Sequence, residues 1–417
     1  MSRTSSTRRA AYVAVVLFGI VSLLGDTVYE GARGLVPDYL YFLGASALVV
    51  GLAGGLGEFL GYAVRLLSGE MADRTRAYWL FIFLGYGLIV TIPMLGFAST
   101  WELAVILVVL ERLGKGLRAP SRDTVLSVVS KELGPGRAFG IHELLDQVGA
   151  VLGPFIVAVM LLATANNYQQ TFLVLGIPFL MLVAALGITY SRIGSMRPES
   201  IRPSEPQGAP ETPKQLGESF YVYTLAVLLN TAGLVPASLI LFRASTVLQP
   251  EDLVWLVPII YVTIQAVDGV VAPVSGLAFD KYGLKVLMVP FVFSVFPPLF
   301  LSSGAQLTEL FVAAALFGLV LGMQESTYRA AVSKFAPTAS RGRAYGIFNT
   351  AYGVAFLVAG FVYGVFIDYN IPLVIVLAFV IVMQALAVAV LSQVHDRHAV
   401  QAEEGTTGEQ SSGPSIN

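Results

Sequence analysis

The sequence predicts an all-α integral membrane protein, with twelve transmembrane helices in two parallel six-helix repeats. Three observations predict this class. Hydrophobic residues make up 56% of the 417 residues and charged residues only 12%, whereas a soluble domain carries about 25% charged residues. The apolar residues form long blocks that match the ~20 residues needed to cross a bilayer. Motifs of the first half also return in the second half at a nearly constant offset.

The apolar blocks define the twelve predicted spans. They cover residues 11–42, 46–69, 78–98, 101–129, 138–163, 168–190, 220–245, 253–279, 284–303, 308–335, 344–367 and 371–393. Residues 1–190 are then an N-terminal six-helix bundle, and residues 220–393 a C-terminal one. Residues 191–219 are rich in Pro, Ser, Glu and Arg and are predicted to be a cytoplasmic linker. The polar residues 394–417 are predicted to be a disordered cytoplasmic tail.

The distribution of positive charge predicts the orientation. Seventeen of the 25 Lys and Arg residues fall in the loops on one side of the predicted bundle. The loops on the other side carry none, and they lie near Gly44, Ser99, Asn166, Pro250, Ala305 and Tyr369. We call these two sides the basic end and the base-free end. Because positive residues mark the cytoplasmic face, both termini are predicted to be cytoplasmic in a multi-pass plasma-membrane protein.

A sequence repeat relates the two halves. Residues 69–74 and 276–281 both read Gly-x-x-x-Asp followed by a basic residue, at an offset of 207. Residues 136–141 return as 342–347 at an offset of 206. Six spans per half give the halves the same orientation. Parallel repeats of this kind place a substrate site at their interface near the midplane.

These motifs resemble those of the major facilitator superfamily. The Gly-x-x-x-Asp-Arg-x-Arg run at 69–76 resembles the family's loop between helices 2 and 3, and 276–283 echoes it. The run Glu-Arg-Leu-Gly-Lys-Gly at 111–116 resembles the family's helix 4 motif. Residues 149–154 resemble the helix 5 motif associated with antiporters, although Val157 and Ala158 replace its trailing Gly-Gly. The resemblance implies a transporter that works by alternating access.

Small residues in the helix 5 motif carry a packing prediction of their own. Glycine lets a neighbouring helix approach closely within a membrane. Gly149, Gly153 and Pro154 are therefore predicted to be helix-packing residues.

Charged residues inside the predicted spans are the candidate functional residues, because such charges are costly and usually face a cavity or a partner. Asp26, Glu30 and Arg33 share one face of helix 1, and two acids against one base leave one acid free to titrate. The alternative is a self-neutralising salt-bridge set that holds helix 1 to a neighbour. The residues predicted to couple protons or line a substrate cavity are Asp26, Glu30, Arg33, Glu58, Arg112, Lys115, Asp146 and Asp268.

Helix 4 carries a specific pairing prediction. Glu111 and Lys115 are one turn apart and can form an ion pair, which leaves Arg112 without a local acid. Arg112 is then predicted to hold a carboxylate of helix 1 or an anionic substrate group. The alternative is a fixed ion pair between helices.

A second group of charged residues, mostly nearer the basic end, is predicted to act in gating. It comprises Asp73, Arg74, Arg76, Arg118, Arg122, Asp123, Asp280, Glu325 and Arg329. The resemblance implies that the helix 4 members pair with Asp73 or Arg74. Glu325 and Arg329 are one turn apart and are predicted to pair with each other.

Together these features predict a secondary active transporter that exports a small organic solute in exchange for protons. The charge cluster and the partial antiporter motif favour this function. The alternative is proton-coupled uptake of an organic anion held by Arg112 and Lys115. The predicted partners are the solute, protons and the lipid bilayer, and the chain is predicted to act as a monomer.

The sequence lacks the features that other classes of protein need. The chain has no cysteine, no zinc-type motif and no Gly-x-Ser-x-Gly elbow, so no enzyme activity, catalytic residue, metal or cofactor is predicted. A net charge of −2 argues against nucleic-acid binding. A transport-inactive receptor would need an ordered signalling domain, whereas the linker and tail are short and polar.

Overall fold

Helices account for all the regular structure in the part of the chain that is described. The computed structural model describes residues 3–130, 133–194, 215–302, 306–337 and 340–394. Most of the predicted linker and nearly all of the predicted tail lie outside these ranges.

Six helical segments form the first half. They are α1 (Arg3–Phe42), α2 (Ala47–Thr75), α3 (Tyr78–Phe97), α4 (Trp101–Val129), α5 (Pro135–Ala163) and α6 (Tyr168–Ile193). Side chains at the base-free end cap three of them. Ser46, Thr100 and Asn167 accept hydrogen bonds from backbone N–H groups in the first turns of α2, α4 and α6. These groups would otherwise lack partners, so the polar residues fix where the helices begin.

Six further segments form the second half. They are α7 (Glu218–Leu248), α8 (Leu256–Tyr282), α9 (residues 283–302), α10 (Leu307–Phe335), α11 (Arg341–Asp368) and α12 (Leu373–Leu391). The α7 segment is interrupted between Ala232 and Ala237, where Pro236 has no backbone N–H to donate. Gly283 ends α8 with a φ of 62°, a conformation that glycine adopts readily.

Each of the twelve predicted spans has a helical counterpart among the described residues. In the described ranges, ten stretches are long and apolar enough to cross a membrane. One of these, Leu256–Phe300, contains both α8 and most of α9. The α4 helix is not among the ten. Its charged side chains are Glu102, Glu111, Arg112, Lys115, Arg118, Arg122 and Asp123.

The prediction that 69–76 and 276–283 are loops is wrong. The first run continues α2 to Thr75, and Arg76 ends the helix with a φ of 56°. The second run continues α8 to Tyr282. An apolar block marks where a helix leaves the hydrocarbon, but the helix itself can continue beyond the bilayer.

Close helix crossings hold the bundle together. A Cβ atom built on Gly149 or Gly153 of α5 would lie under 3.0 Å from the backbone of α1. A Cβ atom built on Gly34 of α1 would lie 3.3 Å from Pro154 Cβ. The three residues predicted for helix packing therefore lie where α5 crosses α1.

The two halves meet along α2 with α11 and along α5 with α8. A Cβ atom on Gly51 of α2 would lie under 3.0 Å from the carbonyl oxygen of Gly360 on α11, and the converse also holds. Between α5 and α8, the side chain of Gln147 donates to the carbonyl oxygen of Gln265 at 2.9 Å. Small residues and a direct hydrogen bond thus form the seam between the halves.

The orientation of the bundle is a testable prediction. Reporter fusions after Thr75 and Tyr282 should read cytoplasmic, because they follow the basic end of a helix. Fusions after Ser99 and Asn166 should read external. The measurement is alkaline phosphatase against fluorescent-protein activity at each site. An inverted reading at any one of the four sites would contradict this arrangement.

Candidate functional site

A cavity of about 340 Å³ lies between the two halves. Helices α1 to α5 line it from the first half, and α7, α8, α10 and α11 from the second. Its lining carries nine Asp or Glu residues and seven Lys or Arg residues. All eight side chains predicted to couple protons or line the cavity belong to this lining. A charged cavity at the interface of two parallel repeats is where a transporter places its substrate site.

Hydrogen bonds close the cavity at the base-free end. The Asp38 carboxylate on α1 is fully buried. It accepts hydrogen bonds from the Tyr168 hydroxyl at 2.7 Å and from Gln249 Nε2 at 3.2 Å. Asn166 Nδ2 donates to Asp252 Oδ1 at 2.6 Å. Gln249 and Asp252 belong to the second half, so these bonds join the two halves.

A helix cap from one half to the other adds to this closure. The Asp368 carboxylate at the end of α11 accepts hydrogen bonds from the backbone N–H groups of Ala47 and Leu48, at 2.8 and 2.9 Å. These groups begin α2 and have no partner within that helix. A carboxylate there also interacts favourably with the helix dipole.

The cavity is accessible from the basic end. Glu143, Glu325 and Arg329 line it and are exposed to solvent, and each lies in the part of its helix nearer the basic end. At the start of α5, no described residue lies within 4 Å of the position that a Cβ atom of Gly136 or Gly140 would take. The structure is therefore closed at one end and open at the other.

Glu30 lies at the centre of the charge network. Its Oε1 atom is 3.1 Å from Arg33 Nη1 and 3.8 Å from Lys115 Nζ. Its Oε2 atom accepts a hydrogen bond of 2.5 Å from the hydroxyl of Tyr261, on α8. Glu30 is 4% exposed. Two cations and one hydroxyl therefore hold this carboxylate, and the hydroxyl comes from the other half.

Glu58 on α2 bridges two arginines. Its Oε1 atom forms an ion pair with Arg33 and lies 3.9 Å from Arg112 Nη1. Arg112 thus reaches a carboxylate of helix 2, whereas helix 1 was the prediction.

The predicted pair between Glu111 and Lys115 is wrong. Glu111 lies 3.6 Å from Arg112 Nε and 3.5 Å from Arg118 Nη2, and Lys115 pairs with Glu30 instead. Arg118 is seven residues after Glu111, on the same face of α4. Because α1 packs beside α4, it offers Lys115 a carboxylate that the α4 sequence alone does not reveal.

Tyr29 extends the network through its ring. Lys115 Nζ lies 4.5 Å from the ring centroid and Arg118 Cζ 5.1 Å from it. Both distances are within the range of cation–π attraction. The ring thus holds two cations of α4 beside α1.

Asp26 is the acid of the predicted helix 1 cluster that has no basic partner among the described residues. It is 8% exposed and lines the cavity. Among the described residues, no Lys or Arg nitrogen lies within 4.0 Å of its carboxylate. Asp26 is therefore the candidate for the acid of the cluster that was predicted to be free to titrate.

A second cluster lies one turn nearer the basic end. Arg122 pairs with Asp123 at 2.9 Å and approaches Asp146 at 3.9 Å. Its Nη1 also donates to Ser22 Oγ at 3.0 Å. His142 lies 3.5 Å from Asp146 and 2.9 Å from the same serine oxygen. This cluster ties α1, α4 and α5 together.

His142, Glu143 and Asp146 could together offer three ligands to a metal, since their donor atoms lie within 4.8 Å of one another. Arg122 already places a positive charge 3.9 Å from Asp146. That charge would oppose a second cation, so the group is better described as an ion-paired cluster.

Four of the predicted gating residues lie outside the cavity. They are Asp73, Arg74, Arg76 and Asp280, all exposed near the basic end. Asp73 accepts a hydrogen bond from Tyr78 at 2.9 Å, and Arg74 pairs with Glu70. The expected pairing of these two with α4 is absent from this structure, because the arginines of α4 meet carboxylates inside the bundle.

The predicted ion pair between Glu325 and Arg329 is also wrong. Among the described residues, the two charged groups do not come within 4.0 Å of each other. Both side chains face the open part of the cavity. Arg329 extends toward Tyr62 on α2. It therefore approaches the first half of the protein rather than Glu325 on its own helix.

The second half is held by uncharged groups. Asn230 Oδ1 accepts hydrogen bonds from Tyr328 at 2.5 Å and from Gln324 at 3.0 Å. Asn230 Nδ2 donates to Gln384 at 2.7 Å, and Tyr352 donates to Gln324 at 2.9 Å. All five residues are buried. A satisfied polar network of this kind favours a rigid bundle.

Sequence reasoning missed Tyr261 and Asp38. Tyr261 precedes Gln265 and Asp268 by one and two turns on α8, so the same helix face could have identified it. Asp38 lies inside the predicted first span, where any acid is a candidate functional residue. The partners of both residues come from distant parts of the chain, and the sequence does not reveal them.

Two helical bundles around a charged cavity, closed at one end and open at the other, define a membrane transporter. The chain matches the sequence profile of the Major Facilitator Superfamily over residues 15–360. It belongs to that family.

Similar proteins are consistent with this assignment. An uncharacterised protein of Mycobacterium tuberculosis is 36% identical over 394 residues, which are 93% of this chain and 95% of that protein. An uncharacterised MFS-type transporter of Methanocaldococcus jannaschii is 28% identical over 360 residues, covering 84% and 87% of the two chains.

Solved structures share the fold at low identity. The nucleoside transporter NupG superposes with a TM-score of 0.70 at 14% identity, covering 90% of this chain and 98% of its own. The peptide transporter POT in complex with sulfate also gives 0.70 at 14% identity, covering 91% and 93%. The family and these structures are transporters, so the protein is not an enzyme.

Proposed function

We propose that this transporter exports a small organic solute across the plasma membrane in exchange for protons. Asp26 carries the proposal. It is a buried carboxylate in the cavity, and among the described residues it has no basic partner within 4.0 Å, whereas Glu30, Glu58 and Glu111 each have two. A carboxylate in such a site can bind a proton at one face of the membrane and release it at the other.

The proposed direction of transport depends on the orientation proposed for the bundle. If the basic end is cytoplasmic, the structure is open to the cytoplasm and can load a solute there. Breaking the bonds at Asp38, Asp252 and Asp368 would then open the external side. Asp26 would take up a proton from outside after the solute has left, and the proton would be released inside.

The contacts give less support to uptake of an organic anion. That alternative needs Arg112 and Lys115 to be free for the solute. Arg112 already lies 3.6 Å from Glu111 and 3.9 Å from Glu58, and Lys115 lies 3.8 Å from Glu30. An anion would have to displace these carboxylates inside a site of low dielectric, at a cost of several kcal/mol (~3 or more).

Solute-dependent proton movement tests the proposal. The purified protein is reconstituted into liposomes that contain a pH-sensitive dye, and a panel of amines, organic acids and neutral compounds is added under an imposed pH gradient. At least one compound should accelerate the decay of the gradient, and protein-free liposomes should show no such effect. If a compound is transported by the protein without any change in internal pH, the coupling to protons is contradicted.

A further inference from the structure

We propose that Asp268 binds the positively charged group of the transported solute, and that the solute is a small organic cation with an apolar body. This inference rests on the proposed function, since it assumes that the solute occupies the cavity between the halves. It adds the chemical class of the solute and the residue that recognises it.

Asp268 is a buried acid that forms no ion pair with the described residues. The residue is 4% exposed and lines the cavity. Its Oδ1 atom is buried without a hydrogen-bond partner. In the described parts of the chain, no Lys or Arg nitrogen lies within 4.0 Å of its carboxylate. Burying a charge is costly unless it is paired, so this position favours a cation that the protein itself does not supply.

The charged residues around Asp268 also favour a positive charge at this position. Glu325, Glu30 and Glu143 line the same cavity as Asp268, and all three are carboxylates. Two cations neutralise Glu30. Glu325 and Glu143 face the cavity with no basic group within 4.0 Å among the described residues, although Arg329 lies one turn from Glu325.

The first half offers little to an anion. The positive groups in its central part are each paired with a carboxylate of the protein: Arg33, Arg112, Lys115, Arg118 and Arg122. Acids outnumber bases in the lining, nine to seven. The two remaining bases of the lining, Arg65 and Arg329, lie nearer the basic end. The excess of acids and the pairing in the central part together favour a cation there.

An apolar surface lies beside the free carboxylate. Ile264 is one turn before Asp268 on α8, and Phe317 and Leu321 of α10 line the same cavity. Phe356 and Tyr352 of α11 also line this cavity. The volume of about 340 Å³ lies at the lower end of the range for small-molecule sites. A compact amine or quaternary ammonium ion with an aromatic or aliphatic body fits this chemistry.

Equilibrium binding to the purified full-length protein tests the inference. The probes share a phenylbutyl body and differ in charge: 4-phenylbutylammonium, 4-phenylbutyltrimethylammonium and 4-phenylbutyrate. Thermal unfolding in detergent is followed at increasing concentrations of each probe, because a ligand of the folded state raises the unfolding temperature. Both cations should raise it in a saturable way and the anion should not. The quaternary ion cannot exchange a proton, so its binding reports charge recognition alone.

Two variants locate the site. Asp268→Asn keeps the shape of the side chain and should weaken binding of both cations by about tenfold or more. Glu251→Gln makes the same chemical change at an exposed residue outside the cavity, and it should bind as the unmodified protein does. If Asp268→Asn cannot be purified, Glu325→Gln at an exposed position carries the test and should weaken binding of both cations.

Three results would overturn the inference. They are equal binding of the anion, no saturable binding of either cation, and unchanged cation binding by Asp268→Asn. The measurement needs neither a membrane nor a gradient. If the protein proves not to transport protons, the binding result for Asp268 is therefore unaffected. If the cations do not bind, the proposal of proton coupling is likewise unaffected.

Discussion

Replacing Asp26 by asparagine should abolish accumulation of the solute driven by a pH gradient, while solute exchange at equal pH survives. A gradient of one pH unit supplies about 1.4 kcal/mol per proton, enough for about tenfold accumulation in a one-for-one exchange. Asparagine cannot carry that proton. Because Asp26 has no ion pair within 4.0 Å among the described residues, its neutral replacement leaves no cation unpaired. The measurement is uptake of a labelled transported compound into proteoliposomes with and without the gradient.

Glu30→Gln is the matched control, one turn along the same helix. It removes a partner from Arg33, Lys115 and Tyr261 together. Breaking a buried ion pair on one side costs about 3 kcal/mol or more, so this variant should lose exchange as well as accumulation. If Asp26→Asn still accumulates the compound tenfold under the gradient, Asp26 is structural and the coupling lies elsewhere.

Replacing Gly51 by alanine should shift the protein away from the conformation seen here. The added Cβ atom would meet the carbonyl oxygen of Gly360 on α11 at under 3.0 Å, and neither backbone can move without opening the seam. Overpacking costs about 1–3 kcal/mol, and about 1.4 kcal/mol changes an equilibrium tenfold. The contact lies one turn from the cap that Asp368 places on α2, so the closure at the base-free end should be lost first.

Cysteine labelling can follow this shift, since the chain has no cysteine of its own. A single cysteine at Leu241, a buried residue that lines the cavity, should react slowly with an impermeant maleimide added at the base-free side. Adding Gly51→Ala should accelerate that reaction about tenfold. Gly187→Ala is the control, because a Cβ atom there meets nothing within 4 Å. Equal labelling in the two variants would show that the seam tolerates the methyl group.

Much of this architecture could be predicted from the sequence, because membrane helices depend on local composition. Apolar blocks located all twelve helical segments. The cost of charge in a membrane pointed to Asp26, Glu58 and Asp268, which line the cavity together although 242 positions separate the first from the last. The helix ends were less predictable, since a helix such as α2 continues past its apolar block to Thr75.

The pairing of charges could not be predicted in the same way. Spacing along a helix suggests Glu111 with Lys115 and Glu325 with Arg329, but neighbouring helices decide the outcome. Lys115 meets Glu30 because α1 packs beside α4. Arg329 extends toward Tyr62 because the cavity lies on that side of α10. The arrangement of neighbouring helices is a property of the whole fold. It cannot be inferred from residue spacing along one helix.

The charges of α4 have a consequence for how the protein is made. Within 13 residues, 111–123, this helix carries six charged side chains. Each Lys, Arg or Asp near a helix centre adds about 2.5–3.5 kcal/mol to the free energy of insertion by the translocon, so α4 should enter the membrane poorly by itself. Its partners Glu30 and Glu58 lie on α1 and α2, which leave the ribosome earlier. We therefore expect those helices to remain beside the translocon until α4 arrives, so that the same ion pairs assist its insertion.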